Sequence, residues 1–408
     1  MKILYITPSF QHPTVRGPHR HYYFIRELSR RHDITLLTLA RHPIGDDALA
    51  EMTSYTRALF AFDVNGGSHS DFAKQIGKLP VVGGPLKAQT IFRNGLRQMK
   101  AAFGDLVKTR PFDVVLFHGK SVFPVIEDFE GLPLVVDFCD ATSMRLRTEM
   151  RYAGPLRRPW LFWRLQQVRR TENRLINKTP YLAFVSLRDR MATNGETPNS
   201  RIIPIGVDSQ YWKRTTPAFD RNRLIFTGVM DYGPNHDAAV YLIDTVLPLL
   251  RDKNPRLELW LVGRSPRPEL QQKARQTPGV TVTGAVDDLR LFLERAALFV
   301  APMRYASGTQ NKLLEAMAME VPVATTALAA SGLHVEGGGE PPVIVADNEN
   351  QLADKIINIL ENQELHARLA SQGRAYVETH FNWTRSAETL ETMCIDAASQ
   401  KAITAARR

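Results

Sequence analysis

Two successive trains of short segments rich in Val, Ile, Leu and Phe, each alternating with helical stretches, leave this chain few folds to choose from. KILYITP, ITLLTLA, DVVLFHG, LPLVVDF and PYLAFVS come first, separated by segments with helical periodicity such as RHYYFIRELSRRH. After RIIPIGVDSQYWKRTTPAFDR the pattern restarts with RLIFTGV, LELWLVG, VTVTGAV, AALFVAP, VPVATTA and PPVIVAD. Strands that alternate with helices build a parallel sheet wound on both faces. Two trains therefore predict an α/β chain of two Rossmann-like domains, and 408 residues is more than one core comfortably holds.

The boundary is placed at Thr215 to Asp220, where Thr-Thr-Pro and polar residues interrupt the pattern. This gives domains 1–215 and 216–382, then a last helix in 383–408 that is expected to cross back to the first domain and to fray at AITAARR. Residues 351–377 read as an amphipathic helix and its successor, with Leu352, Ile356, Ile359 and Leu360 on one face. No internal repeat is present.

Cys139 and Cys394 stand far apart with no His at metal-ligand spacing, which predicts neither a disulfide framework nor a zinc site and fits a reducing cytoplasm. MKILYITPSF reads as a buried first strand without a cleavage pattern, and no segment reaches the ~18 to 20 apolar residues of a membrane span. The net charge of +10 is uneven: Met144 to Lys178 holds ten Arg or Lys against two Glu. Mixed with Leu161, Trp160, Phe162 and Trp163, these charges fit an interfacial helix on an anionic membrane surface. A helix packed by its Trp residues on the first domain fits equally, whereas nucleic acid is not expected, since no binding module is recognisable.

The usual phosphate binders of such sheets are missing: neither G-x-G-x-x-G nor G-x-x-x-x-G-K-[ST] occurs, and no Asp-x-Asp would present a metal to a diphosphate. SGTQNKLLEA, Ser307 to Ala316, offers another anion site. It runs from a Gly-containing turn into a helix, so free N–H groups near Gly308, Thr309 and Gln310 converge at the positive end of the helix dipole. Lys312 adds a point charge, and Glu315 shares its face about 4.5 Å further along. Lys to phosphate and Glu to a ribose diol is one account. The other is an ordinary intrahelical ion pair worth ~0.2 to 0.5 kcal/mol.

Taken with IPIGVDSQYW, FTGVMDYGPNHDAAVYLIDTVLPLL, LELWLVG and VTVTGAVDDLRLFLERAALFVAPMRYASGTQNKLLEAMAMEVPVATT, the chain resembles a family 4 glycosyltransferase with the two-domain GT-B fold. The resemblance implies a cleft between the domains and, as donor substrate, a nucleotide-diphosphate sugar, with no metal and no other cofactor. It implies that Glu315 holds the ribose and that Gly308 and Thr309 bind the diphosphate. Two departures stand out. Ser307 occupies the position of the first of the family's two signature glutamates, and Gly228 is followed by Val229, Met230 and Asp231 where many members carry an Arg and then a Lys. Lys312 is the candidate for that charge and Arg304 the reserve.

Gly228, Gly263 and Val286 fall where relatives' strand ends meet the donor, and Gly17 where a glycine approaches the donor phosphate. Around Gly17, Arg16, His19, Arg20 and His21 form a candidate basic loop for a phosphorylated or acidic acceptor; a merely solvated basic loop fits equally. His118 ends a strand at the carboxyl edge of the sheet, and matches the histidine that relatives hold near the transferred sugar. Asp137 and Asp140 are candidates to orient acceptor hydroxyls, although Asp140 also reads as a cap. The implied reaction retains anomeric configuration, with Lys312 and the helix N-terminus stabilising the leaving diphosphate. Its acceptor is a glycan or lipid-linked molecule, in polysaccharide or glycoconjugate biosynthesis, on the cytoplasmic side of the membrane or peripheral to it. A nucleotide-sugar epimerase on the same fold and a noncatalytic sugar-nucleotide-binding protein are the alternatives.

Overall fold

The computed structural model describes residues 1–14, 19–64, 83–305, 309–335 and 337–406. Among them, two parallel sheets carry the chain. The first contains β1 (Lys2–Thr7), β2 (Asp33–Ala40), β3 (Ala58–Asp63), β4 (Val114–His118), β5 (Leu134–Asp137), β6 (Leu182–Phe184) and β7 (Arg201–Ile202), in the order β3-β2-β1-β4-β5-β6-β7. The second contains β8 (Asp220–Thr227), β9 (Glu258–Val262), β10 (Val280–Val282), β11 (Ala296–Ala301), β12 (Val323–Thr326) and β13 (Ile344–Ala346), in the order β10-β9-β8-β11-β12-β13.

Helices cover both faces of each sheet, which is why the strands read as continuous apolar runs. In β1, Ile3 and Tyr5 join one core cluster with Phe24 and Leu116, while Leu4 and Ile6 join the opposite one with Met99 and Phe117. In each sheet the strand order reverses beside the central strand: between β1 and β4 in the first, between β8 and β11 in the second. Ligands of such sheets bind outside the carboxyl ends at these points. His118 ends β4, and Gly228 follows β8.

β3 and β7 have no counterpart among the strands predicted from sequence. Both are edge strands: β3 is only half-buried and β7 is two residues long, so neither produces the apolar run of a central strand. The helix Trp383–Ala406 packs on the first domain, with Leu390, Met393 and Cys394 buried beside Ile3 and Phe24. At its start Trp383 stacks on Tyr23, ring centroids 4.6 Å apart. The helix continues to Ala406, into the segment expected to fray.

Two expectations are corrected here. Arg20 and His21 do not lie in a solvated basic loop; they open the helix Arg20–Leu28 and are 2% and 1% exposed. Arg20 Nε and Nη2 donate to the two oxygens of Asp137 at 2.9 and 3.3 Å, and its remaining donors reach the carbonyls of Ile203 and Pro204. A buried guanidinium needs such a carboxylate, so Arg20 and Asp137 are committed to each other and not to an acceptor. Likewise, the helix Arg158–Lys178 is not packed by its tryptophans. Leu161 and Leu165 hold it against Leu146 of the helix Thr142–Tyr152, and Leu175 enters the first-domain core. Trp160, Phe162 and Trp163 are 48%, 54% and 58% exposed, and Leu156 before them 97%.

Candidate functional site

A cleft of about 540 Å³ lies between the carboxyl ends of the two sheets, a size typical of small-molecule sites. His118, Cys139, Asp140 and Asp208 line it from the first domain, Thr309, Asn311 and Glu315 from the second, and Trp383 of the last helix also lines it. On the second-domain wall, the helix Asn311–Ala318 buries Leu313, Leu314 and Met317 in the core. That anchoring leaves Lys312 and Glu315 half-buried on the opposite face, and no side chain caps the helix N-terminus.

The two charges do not form the intrahelical pair that their spacing permits. Lys312 Nζ turns to the side-chain oxygen of Asn235 and sits 4.8 Å from the Phe226 ring centroid, while Glu315 faces the cleft. Burial pushes the Lys312 ammonium down to about 7 and the Glu315 carboxyl up to about 7, each opposed by the charge of the other. An anion arriving beside Lys312 would restore its charge.

On the opposite wall, His118 Nδ1 meets the carbonyl oxygen of Asp137 at 2.8 Å. A carbonyl only accepts, so Nδ1 carries the proton, and in the neutral ring Nε2 is the accepting nitrogen. Burial lowers the His118 pKa and keeps the ring neutral. The His21 ring lies against it, tilted, with centroids 3.9 Å apart, its Nδ1 on the Tyr5 hydroxyl and its own pKa driven well down by burial. His21, His118 and Asp137 offer ligand-type atoms within 4.8 Å of one another. Arg20 occupies both Asp137 oxygens and brings a positive charge, so this trio suits a hydrogen-bonded network better than a cation.

Residues 221–362 match the family model described as glycosyl transferases group 1. Over this span the second domain is similar to group 1 glycosyltransferases. A segment of 118 residues is 30% identical to the Staphylococcus aureus capsular polysaccharide biosynthesis glycosyltransferase CapM, covering 29% of this chain and 31% of that protein. The chain thus matches about a third of the length of this curated relative. Over the whole chain the fold is similar to that of sucrose-phosphate synthase from Thermosynechococcus elongatus, with a TM-score of 0.67, 16% identity and 100% of both chains covered. It is also similar to Anabaena HepE in complex with UDP and glucose, with a TM-score of 0.60, 14% identity, and 100% and 99% of the two chains covered. These likenesses show the fold, which is GT-B.

Within the second domain, Gly228, Gly263 and Lys312 meet at one place. A Cβ on Gly228 would lie 2.6 Å from the Asn235 side-chain nitrogen and 3.3 Å from Lys312 Nζ; one on Gly263 would lie 1.8 Å from the Gly228 carbonyl oxygen. Two strand ends approach so closely that only glycine fits at 263, where φ is +149°. Val286 packs on the domain core, two residues beyond Gly284, which bridges to Gly263. Thr309 lines the cleft, and its hydroxyl donates to the Gly332 carbonyl at 2.8 Å.

Arg304, the reserve cation, does not line the cleft. Its guanidinium forks onto Asp237, Nε at 2.8 Å, over the Tyr241 ring. Gly17, Arg16, Ser307 and Gly308 lie outside the described residues. Asp140 does not cap the next helix, whose N-cap is Ala141 without a side-chain bond. Instead it holds Lys120 at 3.1 Å and Thr142 at 2.9 Å, and remains on the cleft wall.

Sequence reasoning missed Asn235 and Lys120. Pro-Asn at a helix start after a strand was the available signal for Asn235, which also donates to the Val229 carbonyl at 3.0 Å. Nothing local marks Lys120, whose partners Asp140 and Glu172 come from distant segments.

Proposed function

We propose that the protein is a retaining glycosyltransferase that moves a sugar from a nucleotide-diphosphate donor to a glycan or lipid-linked acceptor in polysaccharide or glycoconjugate biosynthesis. The observation that carries this reading is the cleft itself, onto which Glu315 and Thr309 of the group 1 domain and His118 of the first domain all open. In this reading Glu315 accepts from the ribose hydroxyls, and Thr309 and the uncapped helix start receive the diphosphate. Lys312, recharged by that diphosphate, stabilises the leaving group. His118 Nε2 accepts from a hydroxyl of the transferred sugar.

The acceptor oxygen bonds to the anomeric carbon from the face the diphosphate leaves. As the carbon–oxygen bond to the diphosphate breaks, its electron pair departs on that oxygen, which takes the acceptor proton. The nucleotide sugar is a substrate, and the reading requires no metal or other cofactor. Closing the cleft keeps water from the donor. The CapM match supports the polysaccharide setting.

Incubation with a panel of nucleotide sugars and glycan or lipid-phosphate acceptors tests the reading. Nucleotide release with sugar transfer is the expected result, lost in Glu315→Ala and Lys312→Ala. Donor conversion without transfer would mean an epimerase, and binding without turnover on every acceptor a noncatalytic protein.

The reading includes a cytoplasmic location and peripheral docking on an anionic leaflet. No helix among the described residues is long and apolar enough to cross a membrane. The exposed Leu156, Trp160, Phe162 and Trp163, set among Arg157, Arg158 and Arg164, supply the apolar and cationic halves of an interfacial site. Flotation with vesicles containing anionic lipid at low salt should carry the protein up, and Trp160→Ser/Trp163→Ser should leave it at the bottom. Flotation unchanged by that variant removes docking from the reading.

A further inference from the structure

Beside the main cleft lies a second groove, about 310 Å³, that the proposed donor site does not use. The helical hairpin of the first domain contributes Arg145, Arg157 and Arg164, and the second domain adds Arg267, Tyr232 and Tyr305. Four guanidiniums thus face two lining carboxylates, Glu149 and Asp231. One is neutralised directly, since Arg157 Nη2 lies 2.6 Å from Glu149. Arg267 reaches only the Asp231 backbone oxygen, at 3.1 Å, and a loose 3.7 Å contact with Glu269; Arg164 lies over the Trp160 ring. Arg145 is half-buried and has no carboxylate within ion-pair distance among the described residues.

The charges of the groove are felt at the main cleft. Asp140, on the wall of that cleft, is held low against burial by Lys120 and Thr142 and, less, by the Arg145 charge, and the buried Tyr232 phenol feels both Arg145 and Asp140. Guanidinium forks match phosphate and carboxylate oxygens in pairs, and a half-buried arginine without a carboxylate leaves that geometry open to a ligand. The donor diphosphate has its own place at the Thr309–Glu315 wall. We infer that the Arg145, Arg157, Arg164 and Arg267 groove is an anion subsite that holds a phosphate or carboxylate of the acceptor, so that the enzyme uses a negatively charged acceptor. This rests on the transferase reading for the word acceptor, although the anion site itself does not. Because the arginines come from both domains, the bound anion also draws the two walls of the cleft together.

The experiment is calorimetric titration at low salt, with a saturating nucleoside diphosphate filling the proposed donor site, using hexyl phosphate, standing for a lipid phosphate, and trigalacturonate, standing for an acidic glycan. Hexanol and maltotriose serve as neutral controls. At least one anionic probe should bind, at least tenfold more weakly in Arg145→Ala/Arg267→Ala, and unchanged in Lys312→Ala and Glu315→Ala; which probe binds names the source. Arg164→Ala, at an exposed position, gives a smaller loss and replaces the double variant should that fail to fold. Binding by neither probe, equal binding in the arginine variants, or loss that follows Lys312→Ala would overturn the inference. Nucleotide-sugar affinity in the double variant should stay at the wild-type level, so failure of the donor reading is seen separately.

Discussion

Donor affinity should pass through a maximum near pH 7, and the two limbs should belong to two named residues. Lys312 has a pKa of about 7 in the free protein because burial strips its ammonium of water. It is then about half charged at pH 7, about a tenth at pH 8 and about a hundredth at pH 9. A bound diphosphate holds it fully charged. Weighted by the ionisation of Glu315, which has the same midpoint, affinity falls about threefold from pH 7 to 8 and about eightfold over the next unit; at pH 7 Lys312 takes up about half a proton on binding and Glu315 releases about half. Glu315, raised to about 7 by burial, supplies the other limb. Below that pH it is protonated and accepts ribose hydroxyls poorly, so affinity falls again toward pH 6.

A nucleotide-sugar diphosphate carries no titrating phosphate proton in this range, so the protein is the source of the profile. Calorimetry with the tightest-binding donor, from pH 6 to 9 in buffers of different ionisation enthalpy, reads both affinity and proton uptake. Lys312→Met should remove the alkaline limb alone and Glu315→Gln the acid limb alone. A flat profile, or an alkaline limb that persists in Lys312→Met, would refute the reasoning.

Asn235→Ala removes the partner that turns Lys312 away from Glu315, and should weaken donor binding by about 1 kcal/mol, or about fivefold, in the same titration. Gly263→Ala drives a methyl into the Gly228 carbonyl, and should cost about 3 kcal/mol, lowering Tm on the order of 8 °C in a thermal melt. Arg20→Met leaves Asp137 buried without its counter-charge; denaturant titration should show a loss of about 3 to 5 kcal/mol, with partial recovery in Arg20→Met/Asp137→Asn.

How far the site could be read in the sequence depends on how local its geometry is. Thr309, Lys312 and Glu315 belong to one turn and helix, so their spacing alone puts them together, and His118 is legible because a strand must end where its apolar run ends. Arg20 was misread as loop because its partner Asp137 lies 117 residues away. Arg304 was misread because the Asp237 that takes its guanidinium comes from a helix 67 residues earlier. The tryptophans of the helix Arg158–Lys178 fit either burial or exposure by composition, and only the leucine stripe beneath them settled which.

By itself, then, the sequence determined two parallel α/β sheets and an uncapped helix start at the carboxyl edge of the second, since apolar periodicity and turn chemistry act over a few residues. The tertiary structure decided what each charge does. It turned Lys312 to Asn235, 77 residues away, left Glu315 on the cleft, buried Arg20 on Asp137 and gathered arginines from both domains along one groove. The physical reason is that desolvation and pairing are set by the groups that surround a charge, and most of those groups arrive from distant parts of the chain.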